Sequence, residues 1–149
     1  MLEKHKDATF RVVSDRRPRL EGLPEDRIEF IPWSPDTEVR SIQEMTIGIM
    51  PLTDTHWARG KCSYKLLTYM ACGIPVVASP VGMNATVLAA GGGYGPARWD
   101  DWAGALECLL DHPERAAQMS AQGRRAVVES YSLEALAPKL AAMLIGVEC

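Results

Sequence analysis

Lys61-Cys62-Ser63-Tyr64-Lys65-Leu66-Leu67-Thr68-Tyr69-Met70-Ala71-Cys72-Gly73-Ile74-Pro75-Val76-Val77-Ala78-Ser79 is the stretch whose reading decides the fold. Residues 61–72 carry a helical pattern, and Gly73 stands where a helix that ends in the left-handed conformation wants a glycine. Pro75-Val76-Val77-Ala78 follows at once, short, apolar and β-branched, as a buried strand does. Working backwards, residues 46–52 form a second continuous apolar run bounded by Pro51 and polar residues, the pattern of a strand buried on both faces. A helix between two such strands is a βαβ unit, with parallel strands, a right-handed crossover and any ligand site at the carboxyl ends.

The pattern continues upstream. Thr9-Phe10-Arg11-Val12-Val13-Ser14 predicts a strand, and Arg27-Ile28-Glu29-Phe30-Ile31 alternates with period two and predicts the next. Ser34-Pro35 supplies an N-cap and a first-turn proline, so a short helix is expected to carry Val39, Ile42 and Met45 on one face. Downstream, Gly91-Gly92-Gly93 follows no clear strand and opens no helix, so it is not a dinucleotide fingerprint and reads as a flexible loop. Trp102, Leu106 and Leu109 form an apolar stripe, and Trp99 and Trp102 are expected to anchor that helix to the sheet. Pro113 opens a helix reaching about Ser130, and Ser132 caps a last one through Leu133, Leu136, Leu140 and Leu144. Tyr64, Tyr69 and Met70 read as helix packing rather than base-stacking groups.

A chain of 149 residues with a formal charge of −3 fits one domain and lacks the basic surface of a nucleic-acid binder; the cluster Arg16-Arg17-Pro18-Arg19 reads as a solvated loop. Nothing approaches the ~20 apolar residues of a membrane span, and the first residues are too charged for a signal peptide. A cytoplasmic protein is expected. Cys62, Cys72, Cys108 and Cys149 are too far apart for a metal or redox pair and are expected as reduced thiols, and His5, His56 and His112 make no metal spacing. No metal and no cofactor are expected.

The chemistry gathers in the polar loop 53–60 and the helix expected to begin near Lys61. Free N–H groups of the first helical turn and the helix dipole favour an anion there. Gly60 permits close backbone approach, Arg59 and Lys61 add charge, Ser63 offers a hydroxyl, and Lys65 lies one turn along on the face of Lys61. Without an anion, cations at a helix start would cost about a few tenths of a kcal/mol each, and they are commonly just solvated surface. Asp54 and His56 are the acid–base groups near this loop. Ser79-Pro80-Val81-Gly82-Met83-Asn84 is placed to line the same cleft, with Asn84 as a polar contact.

The run from Tyr64 through Gly82, above all Tyr69-Met70-Ala71-Cys72-Gly73-Ile74-Pro75-Val76-Val77-Ala78-Ser79, resembles the C-terminal domain of retaining glycosyltransferases of the "group 1" family, which also contains sucrose synthases and bacterial mannosyltransferases. The likeness runs from about Thr9 to Leu144. It implies a Rossmann-like α/β/α domain with a parallel sheet and C-terminal helices, the donor-binding half of the two-domain GT-B architecture. It also implies a nucleoside-diphosphate sugar as donor and retention of anomeric configuration.

The first strand of that domain, the loop after it and the whole N-terminal acceptor domain would then be missing here, so the chain alone is expected to be inactive. Many relatives act at a membrane face, and a peripheral membrane contact would come through that missing domain. The two glutamates the family usually carries fall at Gly60 and Thr68, and a further family carboxylate falls at Thr86, so all three are absent. By the resemblance the donor-binding set is Trp57, Arg59, Gly60, Lys61, Cys62, Ser63, Lys65, Leu66, Thr68, Gly82 and Asn84, with no catalytic residue assigned. Two alternatives stand beside this: a non-catalytic binding or interaction module that keeps the fold, and a nucleotide-sugar epimerase-like enzyme.

Overall fold

The computed structural model describes residues 2–146; Met1 and Cys149 lie outside the described residues. Among the described residues five strands, all paired in parallel, fall into two sheets. β1 (Phe10–Ser14) pairs with β2 (Ile28–Pro32) in one; β3 (Gly48–Met50), β4 (Val76–Ala78) and β5 (Gly93–Tyr94) form the other in that order. The βαβ unit is present as expected: β3, then α3 (Tyr64–Ala71), then β4, with Gly48 opposite Val76 and Met50 opposite Ala78. Gly73 closes α3 at φ 75°.

The core lies where α3 covers this sheet. Leu66, Met70, Val76, Ala78 and Val87 are buried together, Val87 coming from α4 (Met83–Leu88). Among the described residues only β4 has neighbours on both edges and is buried throughout. The expectation of a strand buried on both faces therefore fails for β3: Ile49 and Met50 stay half-buried, because the outer edge of β3 has no strand beside it. The outer edge of β1 is open as well, and Phe10, Arg11, Ile47 and Ile49 line a cavity of about 400 Å³ between the two sheets.

Several local expectations change. The turn at Ser34 is not yet helix: its carbonyl accepts from Thr37 and Glu38, and α1 (Glu38–Gln43) begins after Thr37. That later start leaves Val39 54% exposed while Ile42 is buried. The glycine run is no flexible loop. A Cβ on Gly93 would lie 2.0 Å from the Val76 carbonyl oxygen, and one on Gly92 would lie 2.8 Å from Gly123 Cα of α6 (Pro113–Tyr131). Glycine is what lets β5 lie beside β4 with a helix crossing close above it.

Trp99 does not anchor α5 (Asp100–Asp111) to the sheet; it stays exposed and stacks on Trp102 at a centroid distance of 5.8 Å. The last helix, α7 (Leu133–Ile145), forms with Ser132 Oγ accepting from Ala135 N, but its leucine stripe is exposed. Tyr69 and Met70 pack as expected, Tyr69 over Gly48, whereas Tyr64 is 64% exposed. Cys62, Cys72 and Cys108 are free thiols.

Candidate functional site

The carboxyl ends of β3 and β4 are tied together by a short hydrogen-bond chain. Ser79 Oγ, just after β4, accepts from Leu52 N just after β3, at 2.9 Å. Asn84 Nδ2 donates to the Ser79 carbonyl at 3.1 Å, and Ser63 Oγ donates to Asn84 Oδ1 at 2.6 Å. Ser63, Ser79 and Asn84 are all buried, so each polar atom in the chain needs the partner it has. The sequence expectation that Ser63 and Asn84 present polar atoms to a ligand is corrected here: both side chains are spent inward, fixing α3 to α4. Leu66 is corrected likewise, being fully buried in the core.

Ser63 also holds a φ of 56°, the one non-glycine residue with positive φ among the described residues. Such a conformation costs on the order of 1 kcal/mol and persists where its surroundings hold it. The Ser63–Asn84 bond is what holds it, and it sets the direction in which the chain enters α3. The helix therefore starts at Tyr64, not near Lys61. Lys61 and Cys62 sit in the preceding loop, exposed, and Lys61 does not share a helix face with Lys65.

The loop before them contains a turn of helix that the sequence did not announce. Thr55 Oγ1 accepts from Ala58 N at 3.1 Å and starts α2 (His56–Arg59), which buries Ala58 and leaves Trp57 83% exposed. Asp54 accepts both Arg59 Nε, at 2.6 Å, and Arg59 Nη2, at 2.8 Å. This pairing holds the Asp54 carboxyl below the usual carboxylate range, chiefly through the hydrogen bond from Arg59, and raises the arginine. Arg59 thus brings a fixed direction to the loop but little net charge. Gly82, at φ 56° and ψ −132°, seats the loop after β4 directly on α2: a Cβ there would lie 2.5 Å from the Arg59 carbonyl oxygen. Gly60 is different, with φ −80° and ordinary space for a Cβ, so neither conformation nor packing demands glycine there.

Beside this loop, at the carboxyl ends of β1 and β2, opens a cleft of about 450 Å³. Asp15, Trp33 and Glu38 line one part of it, and Tyr64, Lys65 and Thr68 of α3 line another. Thr68 donates its hydroxyl proton to the Tyr64 carbonyl at 2.9 Å, so toward a ligand it offers only lone pairs. Lys61 and Lys65 form no ion pair among the described residues. Trp33, Asp15 and Glu38 escaped the sequence reading, although the rule that ligands sit outside the carboxyl ends of parallel strands, applied to β1 and β2, points to them. Among the described residues no group of His, Cys, Asp and Glu side chains has the arrangement of a metal site.

A two-sheet parallel α/β body with its polar loops at one end is a widely shared scaffold, and sequence narrows it. Residues 1–112 match the family described as "Glycosyl transferases group 1". The chain belongs to that family. Its fold is similar to a sucrose-phosphate synthase from Thermosynechococcus elongatus, with a TM-score of 0.65 and 23% identity over 83% of this chain. That overlap spans 31% of the synthase, so this group 1 chain corresponds to about a third of that relative's length. No curated protein matches the sequence. No helix among the described residues is long and apolar enough to cross a membrane.

Proposed function

We propose that this chain is the donor-binding part of a glycosyltransferase, holding a nucleoside-diphosphate sugar with its diphosphate against Arg59, Lys61 and Lys65. The observation that carries this is the pairing of a rigid frame with unpaired charge. The buried Ser63–Asn84–Ser79 chain fixes the loops at the ends of β3 and β4, and Lys61 and Lys65 project from that frame without carboxylate partners among the described residues. A diphosphate satisfies both cations and the free N–H groups at the start of α3.

In the reaction the bond between the anomeric carbon and the diphosphate oxygen breaks, and the acceptor hydroxyl oxygen bonds to that carbon and passes its proton to the leaving diphosphate. Negative charge grows on the leaving diphosphate, which is where Lys61 and Lys65 act, while Arg59, paired with Asp54, holds the loop in place. Retention of configuration belongs to this proposal. So does a separate acceptor-binding half, supported by the chain's matching a third of its structural relative. An epimerase is less well supported, because Asp54 is already engaged by Arg59 and leaves His56 alone near the loop.

The test is calorimetric titration with UDP, GDP and their sugars. Millimolar-or-tighter binding that weakens roughly tenfold in Lys61→Ala supports the reading. No binding of either nucleotide contradicts it and favours an interaction module that keeps the fold.

A further inference from the structure

β1 and β3 border one cavity without pairing with each other. Each bonds its own sheet on one side and turns its other side to the space of about 400 Å³ between them. The register says which backbone groups face that space. The Ser14 carbonyl accepts from Trp33 N, so Phe10, Val12 and Ser14 spend their peptide groups on β2, and Arg11 and Val13 turn theirs the other way. Gly48 N donates to the Pro75 carbonyl and the Met50 carbonyl accepts from Ser79 N. β3 therefore bonds β4 through Gly48 and Met50, and the N–H and C=O of Ile49 point away from it. Ile49 is half-buried, where peptide groups without a partner are costly.

The walls of the cavity define what would satisfy these groups. Phe10, Met45, Ile47 and Ile49, with Leu106 and Leu110 of α5, make much of the lining apolar, so ordered water is a poor substitute. A helix bonds its own backbone, whereas an extended segment offers N–H and C=O groups to both sides alternately along its length. β3 has three residues and β1 has five, so a segment of similar length, at about 3.3 Å per residue, covers both edges. Charge adds a preference. Asp7, Glu29 and Glu44 stand at the same cavity; Arg11 is bonded to the two glutamates, and Arg40 adds a bond to Glu44. Three carboxylates against these two guanidinium groups leave the rim acidic, which favours a basic flank on whatever enters.

We propose that the gap between β1 and β3 is a docking site for an extended apolar segment of another polypeptide, flanked by basic residues, which pairs with both edges and joins the two sheets into one. Joining them sets the cleft at the ends of β1 and β2 at a fixed distance from the loop that follows β3. The inference is independent of nucleotide binding.

The probe is a panel of short, end-capped peptides of Val, Ile, Leu, Ala and Gly flanked by lysines, titrated into the chain and followed by residue-resolved amide hydrogen exchange. A binding peptide should slow exchange at Arg11, Val13 and Ile49 by roughly tenfold or more, and change Val12 and Met50, already bonded within their sheets, several-fold less. The same peptide N-methylated at alternate residues cannot donate to one edge and should bind at least about tenfold weaker; exchanging its lysines for glutamates should also weaken it. No peptide of the panel binding at millimolar concentration overturns the proposal. So does equal affinity of the N-methylated or the glutamate-flanked peptide, or protection centred on α7. Protection of Arg11, Val13 and Ile49 that appears in the chain alone as its concentration rises would give the gap to a second copy, and overturns it as well.

Discussion

Asn84 shows how a residue chosen for one role can hold another. Its spacing after Gly82 at a strand end was legible in the sequence, but its burial was not, because burial depends on how α4 packs on α3. Replacing it with alanine strips the partner from Ser63 Oγ and the Ser79 carbonyl together, both buried. Asn84→Ala should lose about 2–4 kcal/mol of stability in urea unfolding, and a loss under 0.5 kcal/mol would contradict the frame described here. Asp54 carries a second expectation at this scale. Its carboxyl is held down in the folded chain, so the Asp54–Arg59 contribution is present above the ordinary Asp pKa and fades as pH falls through the lower folded value. Carboxyl-detected NMR should find Asp54 titrating below that ordinary value, returning toward it in Arg59→Ala; an unmoved midpoint would argue against the pairing.

Elements were legible in proportion to how far local pattern decided them. The β3–α3–β4 unit was readable because a helix stop, a proline and a β-branched run follow one another in sequence. β5 was not, since glycine has low strand propensity and its place is set by the approach of β4 and α6 from elsewhere in the chain. Two glycines separate these cases. Gly93→Ala, with its Cβ 2.0 Å from a backbone oxygen, should destabilise by about 1–3 kcal/mol, whereas Gly104→Ala, with nothing within 4 Å on α5, should be neutral or stabilising by up to about 1 kcal/mol. Thermal unfolding of the pair checks both, and equal effects would mean that β5 is not packed as described. The start of α3 was misread for a similar reason: Ser63 takes a conformation its side chain does not favour, imposed by Asn84 from 21 positions away.

At the scale of the whole molecule, the sheet is divided. β1 and β3 each turn an unpaired edge toward the cavity of about 400 Å³ between them, while β4 is paired on both sides. Amide hydrogen exchange should therefore protect β4 most and β3 distinctly less; equal protection would mean that the gap is closed in solution. That division also limits what the sequence could say about function. Family likeness led to the strand-end loops, yet Lys65 and Thr68 come to line one cleft with Asp15 and Trp33 only when α3 is set beside the ends of β1 and β2.

The most direct test of the account is a ¹H–¹⁵N shift map of the chain titrated with UDP and GDP. Saturable shifts are expected along the run Arg59 through Lys65, with α6 and α7 silent. Shifts centred on α7, or none at millimolar nucleotide, would contradict it.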